Sequence, residues 1–429
     1  MTIAQFAGKN ICLVGYGREG RAMHEALLQH APGATITVAD ADTSLHVSGA
    51  KMQTGPDYLS NLQNFDVIIR SSGIKNTPEL DAASTKTTDM TRIFFDSIAG
   101  TGVRTIGVTG SKGKSTTTTL IYEALKAHDP NTFLMGNIGI PMIAFLPHAK
   151  AGNTFVIELS SYMLEHLRVS PNVAVVTSFF PEHLDRHGSV EAYWAAKKSI
   201  AAYQKPDDAV FYNAAYPECK QLADASAGQK FAFTAADFPL TMDKTKFKGE
   251  HNRSNMAAAL AVATFLGVPR SKALEAIKAA KPLPHRLEYV GKFGDITWVN
   301  DSFSTAPEAT IAALEALGAD VDTLLVGGFD RGVDFSGLAA YLAKSPVQNI
   351  IVFPDTGDKI KTGIEALGAT KNFFATSHMP GAVDWAATHT APGKTCLLSP
   401  ASPSFNLFQD FVARGEAFVV AAQNVGASR

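Results

Sequence analysis

Short apolar runs rich in β-branched residues recur from one end of the chain to the other. They are ICLVG at 11–15, ITVAD at 36–40, VIIRS at 67–71, TIGVTG at 105–110, TFVIELS at 154–160, VAVVTS at 173–178, ITWVN at 296–300, TLLVGG at 323–328, NIIVF at 349–353 and TCLLSP at 395–400. Helical stretches separate them, and this alternation predicts an α/β protein with mostly parallel sheets. So many strands exceed what one open sheet holds. Two stretches read as joints: DMTRIFFDSIAGTGVRT, which leads into a fresh strand, and KPLPHR at 281–286, where prolines interrupt a helix. Three domains are therefore expected, 1–98, 99–284 and 285–429, a division that also suits 429 residues.

Two glycine-rich turns follow strands. In TIGVTGSKGKSTTTTLIYEALKAH, residues 105–128, a strand runs into a turn holding Gly110, Ser111, Lys112 and Gly113, and then into a helix that opens with Lys114, Ser115 and Thr116. Backbone N–H groups in such a turn, with the helix N terminus behind them, bind phosphate. Lys114 would neutralise the outer phosphates of ATP, and the Ser115 hydroxyl would reach Mg²⁺. The usual eight-residue spacing would need glycine at 108, where Val108 stands, so the loop is the shorter TGxxGKS form. The other turn, ICLVGYGREG, places Gly15, Gly17 and Gly20 after a strand, with Asp40 ending the next one. Alone, it reads as a dinucleotide fingerprint and suggests a nicotinamide-dependent oxidoreductase. Beside a second nucleotide loop it more economically holds another diphosphate, such as that of a UDP-sugar.

Ionisable residues at strand ends extend the picture. Glu158 closes an apolar strand, where an unpaired carboxylate would be costly and a Mg²⁺ shared with Ser115 would compensate it. His183 follows the next central strand and can complete a metal shell. Lys197 and Lys198 are adjacent on a helix, so one is expected to face inward and the other solvent, although composition alone reads both as solvated surface residues.

Composition narrows the functional class. With 38 basic and 40 acidic residues the net charge is −2, which offers no field for nucleic acid or a membrane surface. No segment approaches the ~20 apolar residues of a membrane helix. Three scattered cysteines give neither a disulfide framework nor a CxxC metal site. A cytoplasmic protein acting on small polar molecules is expected, and a monomer.

The ordered motifs TGSKGKST (109–116), GNIGIP (136–141), ELSSYMLE (158–165), EHLDRH (182–187), YWAAKKSI (193–200), HNRSNMAAA (251–259), HRLEYV (285–290), NDSFST (300–305) and LLSPASPSFNLFQDFVARGEAF (397–418) span the chain. Together they resemble the Mur ligases, and within that family the branch that adds glutamate. The resemblance implies two Rossmann-like domains flanking a central P-loop domain. It also implies an ATP-dependent enzyme that ligates glutamate, D-glutamate favoured over L-glutamate, to UDP-MurNAc-L-alanine through an acyl phosphate. It assigns ATP and metal to Lys114, Ser115 and Thr116, Mg²⁺ to Glu158 and His183, and a second Mg²⁺ to a carbamylated Lys197. Asn255, Arg286 and Asp301 match nucleotide-contacting positions. Gly15, Asp40, Gly73 and Asn137 match the UDP-substrate surface, and Ser404 and Phe411 the grip on glutamate. Two residues depart from the pattern: Phe303 stands where a lysine is usual, and Arg331 replaces another lysine. Guanidinium offers a planar fork that ammonium does not, so a remodelled glutamate pocket is expected. A folylpolyglutamate-type ligase shares the phosphate loop but does not need the first glycine turn.

Overall fold

The computed structural model describes residues 1–247 and 249–427. Its strands form three sheets. In the first, the strands lie in the order Lys51–Thr54, Thr35–Asp40, Asn10–Val14, Val67–Arg70 and Thr87–Asp89, all parallel. The second runs Gln229–Phe233, Ala209–Asn213, Val173–Val176, Arg104–Thr109, Thr154–Glu158 and Thr132–Gly136, again all parallel. The third runs Glu288–Phe293, Ile296–Asn300, Thr395–Leu398, Val321–Gly328, Asn349–Asp355 and Asn372–Ala375, with one antiparallel pair at its Glu288–Phe293 edge. Parallel strands are covered by helices on both faces and so read as continuous apolar runs. All ten apolar runs of the sequence form strands.

The chain packs as two compact units. One is Met1–Lys244 with Glu250–Ala280; the other is Thr245–Gly249 with Lys281–Arg429. The first unit contains the first two sheets over one continuous core, in which Met23, Leu27 and Phe94 join Met142, Phe155 and Ile157. The second unit has an apolar cluster on each face of its sheet, one around Leu324, Val326 and Ile350, the other around Trp298, Leu325 and Phe418. A central sheet sandwiched in this way leaves the strand ends as the open place for ligands, and the two glycine turns lie at the carboxyl ends of Asn10–Val14 and Arg104–Thr109. Among the described residues no helix is long and apolar enough to cross a membrane.

Candidate active site

The strand Arg104–Thr109 delivers the chain into the phosphate loop, and the helix Lys114–Lys126 begins directly after it. Gly113 caps that helix with φ 83°, a left-handed conformation that disfavours any side chain. A Cβ there would also lie 2.5 Å from Asn255 Oδ1, which accepts from Thr117 Oγ1 at 3.1 Å. Asn255, on the helix Glu250–Phe265, therefore abuts the loop. The Ser111 amide donates to the Ser178 carbonyl at 3.0 Å, and the Lys112 amide to Ser178 Oγ at 2.9 Å. Those two amides thus brace the loop rather than point into it, which narrows the expectation that the whole turn faces phosphate. The helix N terminus at Lys114, Ser115 and Thr116 keeps the anion-binding geometry. Lys114 Nζ folds back to donate to the carbonyls of Gly110 at 3.0 Å and Ser111 at 2.8 Å.

A second amine meets the same carbonyl. Lys197 is 1% exposed, and its Nζ donates to Gly110 O at 3.0 Å and lies 4.7 Å from the ring centroid of Tyr193. Burial, and then the neighbouring Lys114 cation, hold the Lys197 amine well below the ordinary lysine range, against the attraction of Glu182 and Glu158. Lys198 is exposed, so the inward and outward lysines are as the helix periodicity predicts. Tyr193 also meets the loop, its hydroxyl 2.9 Å from Ser111 Oγ.

Glu158 ends its strand 1% exposed. Its Oε1 accepts from Asn137 Nδ2 at 2.8 Å, while Oε2 is buried with no hydrogen-bond partner among the described residues. A buried carboxylate oxygen left without a donor is rare and costly, and a cation or a hydrogen-bond donor such as water would satisfy it. His183 adopts φ 56° just before the short helix Leu184–His187, with its ring 5.2 Å from that of Tyr162. Among the described residues no three His, Cys, Asp or Glu side chains gather as a ready-made metal cluster. Oxygen and nitrogen groups able to bind a cation do stand near these strand ends: the Ser115 hydroxyl opens the helix after Arg104–Thr109, Glu158 ends its own strand, and His183 follows Val173–Val176.

The first glycine turn shows why its third glycine is there: a Cβ on Gly20 would sit 2.2 Å from the Gly15 carbonyl oxygen. Asp40 is engaged with backbone, accepting from the Tyr16 amide at 2.7 Å and the Asp42 amide at 3.0 Å. It shapes the turn as well as presenting charge. Two arginines not singled out from the sequence tie this turn region to the central sheet. Arg18 donates to Gly139 O at 3.0 Å; Arg186 donates to Gly73 O at 3.1 Å and Ser72 O at 3.2 Å. Gly15, Asp40 and Gly73 thus lie on one side of the first unit, with Asn137 beside Glu158.

In the second unit Asp301 is 5% exposed and accepts from the Leu287 amide at 3.1 Å and Ser399 Oγ at 2.8 Å. Burial pushes its carboxyl up to about 6, opposed by the Ser304 and Ser399 hydroxyls, the Leu287 amide and the Arg286 charge. Ser404 is 2% exposed, and its Oγ has no partner among the described residues. Arg331 is exposed, its guanidinium 5.7 Å from the Phe405 ring centroid. Phe411 opens the last helix, with its ring 4.9 Å from that of Phe303. Arg414, which sequence reasoning passed over, is buried and donates to Ser302 Oγ, Ser302 O and Ser402 O at 2.8–3.0 Å. Its signal lay in a charged residue on the apolar face of that helix.

Residues 108–240 match the Mur ligase middle domain, and residues 285–402 match the Mur ligase, glutamate ligase domain. A protein of Salinispora tropica named UDP-N-acetylmuramoyl-L-alanine–L-glutamate ligase is 33% identical, with 99% of each chain covered. One of the same name from Xanthomonas campestris pv. campestris is 35% identical, covering 97% of this chain and 96% of its own. Among solved structures, the UDP-N-acetylmuramate-alanine ligase of Thermotoga maritima aligns with a TM-score of 0.62 at 18% identity, over 97% of this chain and 99% of that one. The ADP complex of the MurF ligase from the same organism aligns with a TM-score of 0.61 at 16% identity, over 99% and 97%.

Proposed function

The chain belongs to the Mur ligase family of ATP-dependent, amide-bond-forming ligases, and from that premise we propose that it joins glutamate to the alanyl carboxylate of UDP-MurNAc-L-alanine. The near-full-length likeness to relatives named for that reaction carries the reading. The alanyl carboxylate attacks the γ-phosphorus of ATP; the bond to the bridging oxygen breaks, giving ADP and an acyl phosphate. The glutamate amine then attacks the acyl carbon, loses a proton, and inorganic phosphate leaves with the carboxylate oxygen that attacked. Lys114 and the helix N terminus at Ser115 and Thr116 bind and orient the phosphates.

The residues fit Mg²⁺. Glu158 Oε2 can take a cation, and Ser115 and His183 are further donors. When bound, the ion supplies charge neutralisation to the phosphates. Lys197 fits carbamylation: burial lowers the proton affinity of its amine, and the deprotonated amine can bond the carbon of CO₂ through its lone pair, releasing one proton and leaving a carboxylate-like group beside Gly110. Asn255, Arg286 and Asp301 are proposed for the nucleotide, Gly15, Asp40, Gly73 and Asn137 for the UDP-substrate, and Arg331, Ser404 and Phe411 for glutamate. The buried Ser404 hydroxyl, unpartnered among the described residues, supports that last assignment. The domain limits 1–98, 99–284 and 285–429 and a cytoplasmic location belong to the same reading.

The motif pattern favours D-glutamate. A specific observation favours a second reading: the relatives of matching length are named for L-glutamate, and Phe303 and Arg331 both depart from the pattern that suggested the D isomer. The acyl-phosphate route is tested with ¹⁸O in the alanyl carboxylate. One labelled oxygen should appear in the released phosphate; label retained entirely in the amide product and carboxylate would contradict it.

A further inference from the structure

The loop holding Arg286 is built under constraint. Its two neighbours, His285 (φ 61°) and Leu287 (φ 44°), both adopt left-handed backbone, which side-chain-bearing residues rarely do without compensation. The surroundings hold both. The His285 amide donates to Glu288 Oε2 at 2.8 Å, its Nδ1 meets Asn300 Nδ2 at 2.8 Å, and its carbonyl accepts from the Phe303 amide at 3.0 Å. The Leu287 amide is held by Asp301. The helix Phe411–Ala427 comes so near that a Cβ on Gly415 would lie 2.2 Å from His285 Nδ1. So much bonding around one change of chain direction serves to aim the side chain between.

That side chain lies on Phe303. The Arg286 guanidinium carbon is 3.5 Å from the ring centroid, in face-on contact, and Phe411 braces the ring edge-on at an interplanar angle of 81°. The ring keeps 37% of its surface exposed, so burial alone does not explain an aromatic residue there. A lysine at 303 would set a like charge against the guanidinium, whereas the negative face of a phenyl ring attracts it.

We propose that Phe303 is a positioning residue, whose ring is the platform that holds the Arg286 guanidinium ready for the phosphates of ATP. This rests on the reading that Arg286 meets the nucleotide. It turns the departure at 303 from a lost contact into a different way of ordering a neighbouring cation.

The test measures ATP affinity by calorimetry on the full chain, where the identity of the acceptor does not enter, alongside the KM values for ATP and glutamate. F303L should weaken ATP binding roughly 3- to 30-fold, F303K at least as much, and F303Y should restore it. Trifluorophenylalanine at 303 keeps the ring's shape and packing but removes the negative charge of its face. It should weaken ATP as F303L does, which a merely structural ring would not. Unchanged ATP affinity in the trifluoro variant or in a folded F303L overturns the proposal. Wild-type failure to turn over UDP-MurNAc-L-alanine would instead count against the function proposed above, leaving the affinity comparison to decide the role of Phe303.

Discussion

Replacing Asp301 by asparagine should stabilise the second unit, and do so only above a particular pH. The carboxyl is nearly fully buried, and burial lifts it from its ordinary value of 3.8 to about 6. Between those values the folded state holds a proton that the unfolded chain has released. Stability therefore falls as pH rises through that window: the penalty is absent below about pH 4 and complete above about pH 6. Each tenfold change in proton affinity is worth about 1.4 kcal/mol, so the full penalty is roughly 3 kcal/mol. Asparagine can still accept from the Leu287 amide, but it must donate to Ser399 Oγ, whose own proton then goes elsewhere. About 1 kcal/mol is set against the gain for that rearrangement. Urea unfolding followed by tryptophan fluorescence reads the effect, since the buried Trp298 lies three residues away on the adjoining strand. The stability difference between D301N and wild type should be near zero or slightly negative at pH 4 and rise to about 2 kcal/mol at pH 7.5. A difference that does not change with pH would refute the reasoning. A charge kept where it destabilises the fold is a sign of use, so D301N should also lose ligase activity while gaining stability.

Two further substitutions test the phosphate loop and its buried amine. Gly113→Ala imposes a left-handed alanine and drives a Cβ into Asn255 Oδ1, disturbing its bond from Thr117; a loss of about 2–4 kcal/mol in chemical unfolding is expected, with weaker ATP binding. Wild-type stability would show that the loop relaxes freely. Lys197→Ala should lower turnover by roughly 100-fold or more, and ¹³C NMR in labelled bicarbonate should show a carbamate carbon in wild type that the variant lacks. An active wild-type enzyme with no such signal would remove the carbamate from the mechanism.

The sheet interiors were legible in the sequence, and their margins were not. Six of the seven strands missed are sheet edges, from Lys51–Thr54 to Asn372–Ala375, where one side lacks a partner strand and burial is mostly partial. Such strands do not need continuous apolar runs. Ala209–Asn213 is the exception, an interior strand whose short apolar run AVFY follows the charged Asp207 and Asp208. In the site, features set by local context could be read: the glycines of the turns, the buried carboxylate that ends an apolar strand at Glu158, and one inward lysine in the pair Lys197 and Lys198, although only the family resemblance pointed to Lys197 as that one. Residues whose job is to join distant segments could not. Arg186 reaches a loop 113 positions away, and Arg414 braces Ser302, 112 positions away. Nothing in a local pattern encodes the far partner. Asp40 shows the reverse, since its place at a strand end was visible while its capture by the Tyr16 and Asp42 amides was not.

The central claim is tested most directly by ATP-dependent phosphate release with UDP-MurNAc-L-alanine and Mg²⁺, supplying D-glutamate and L-glutamate in parallel and weighing the product by mass spectrometry. Release should require nucleotide, acceptor and glutamate together, with a product heavier by one glutamyl residue. Turnover confined to L-glutamate would agree with the names of the relatives, and turnover confined to D-glutamate with the motif pattern. No product with either isomer, from protein that binds ATP, would contradict the proposed substrate.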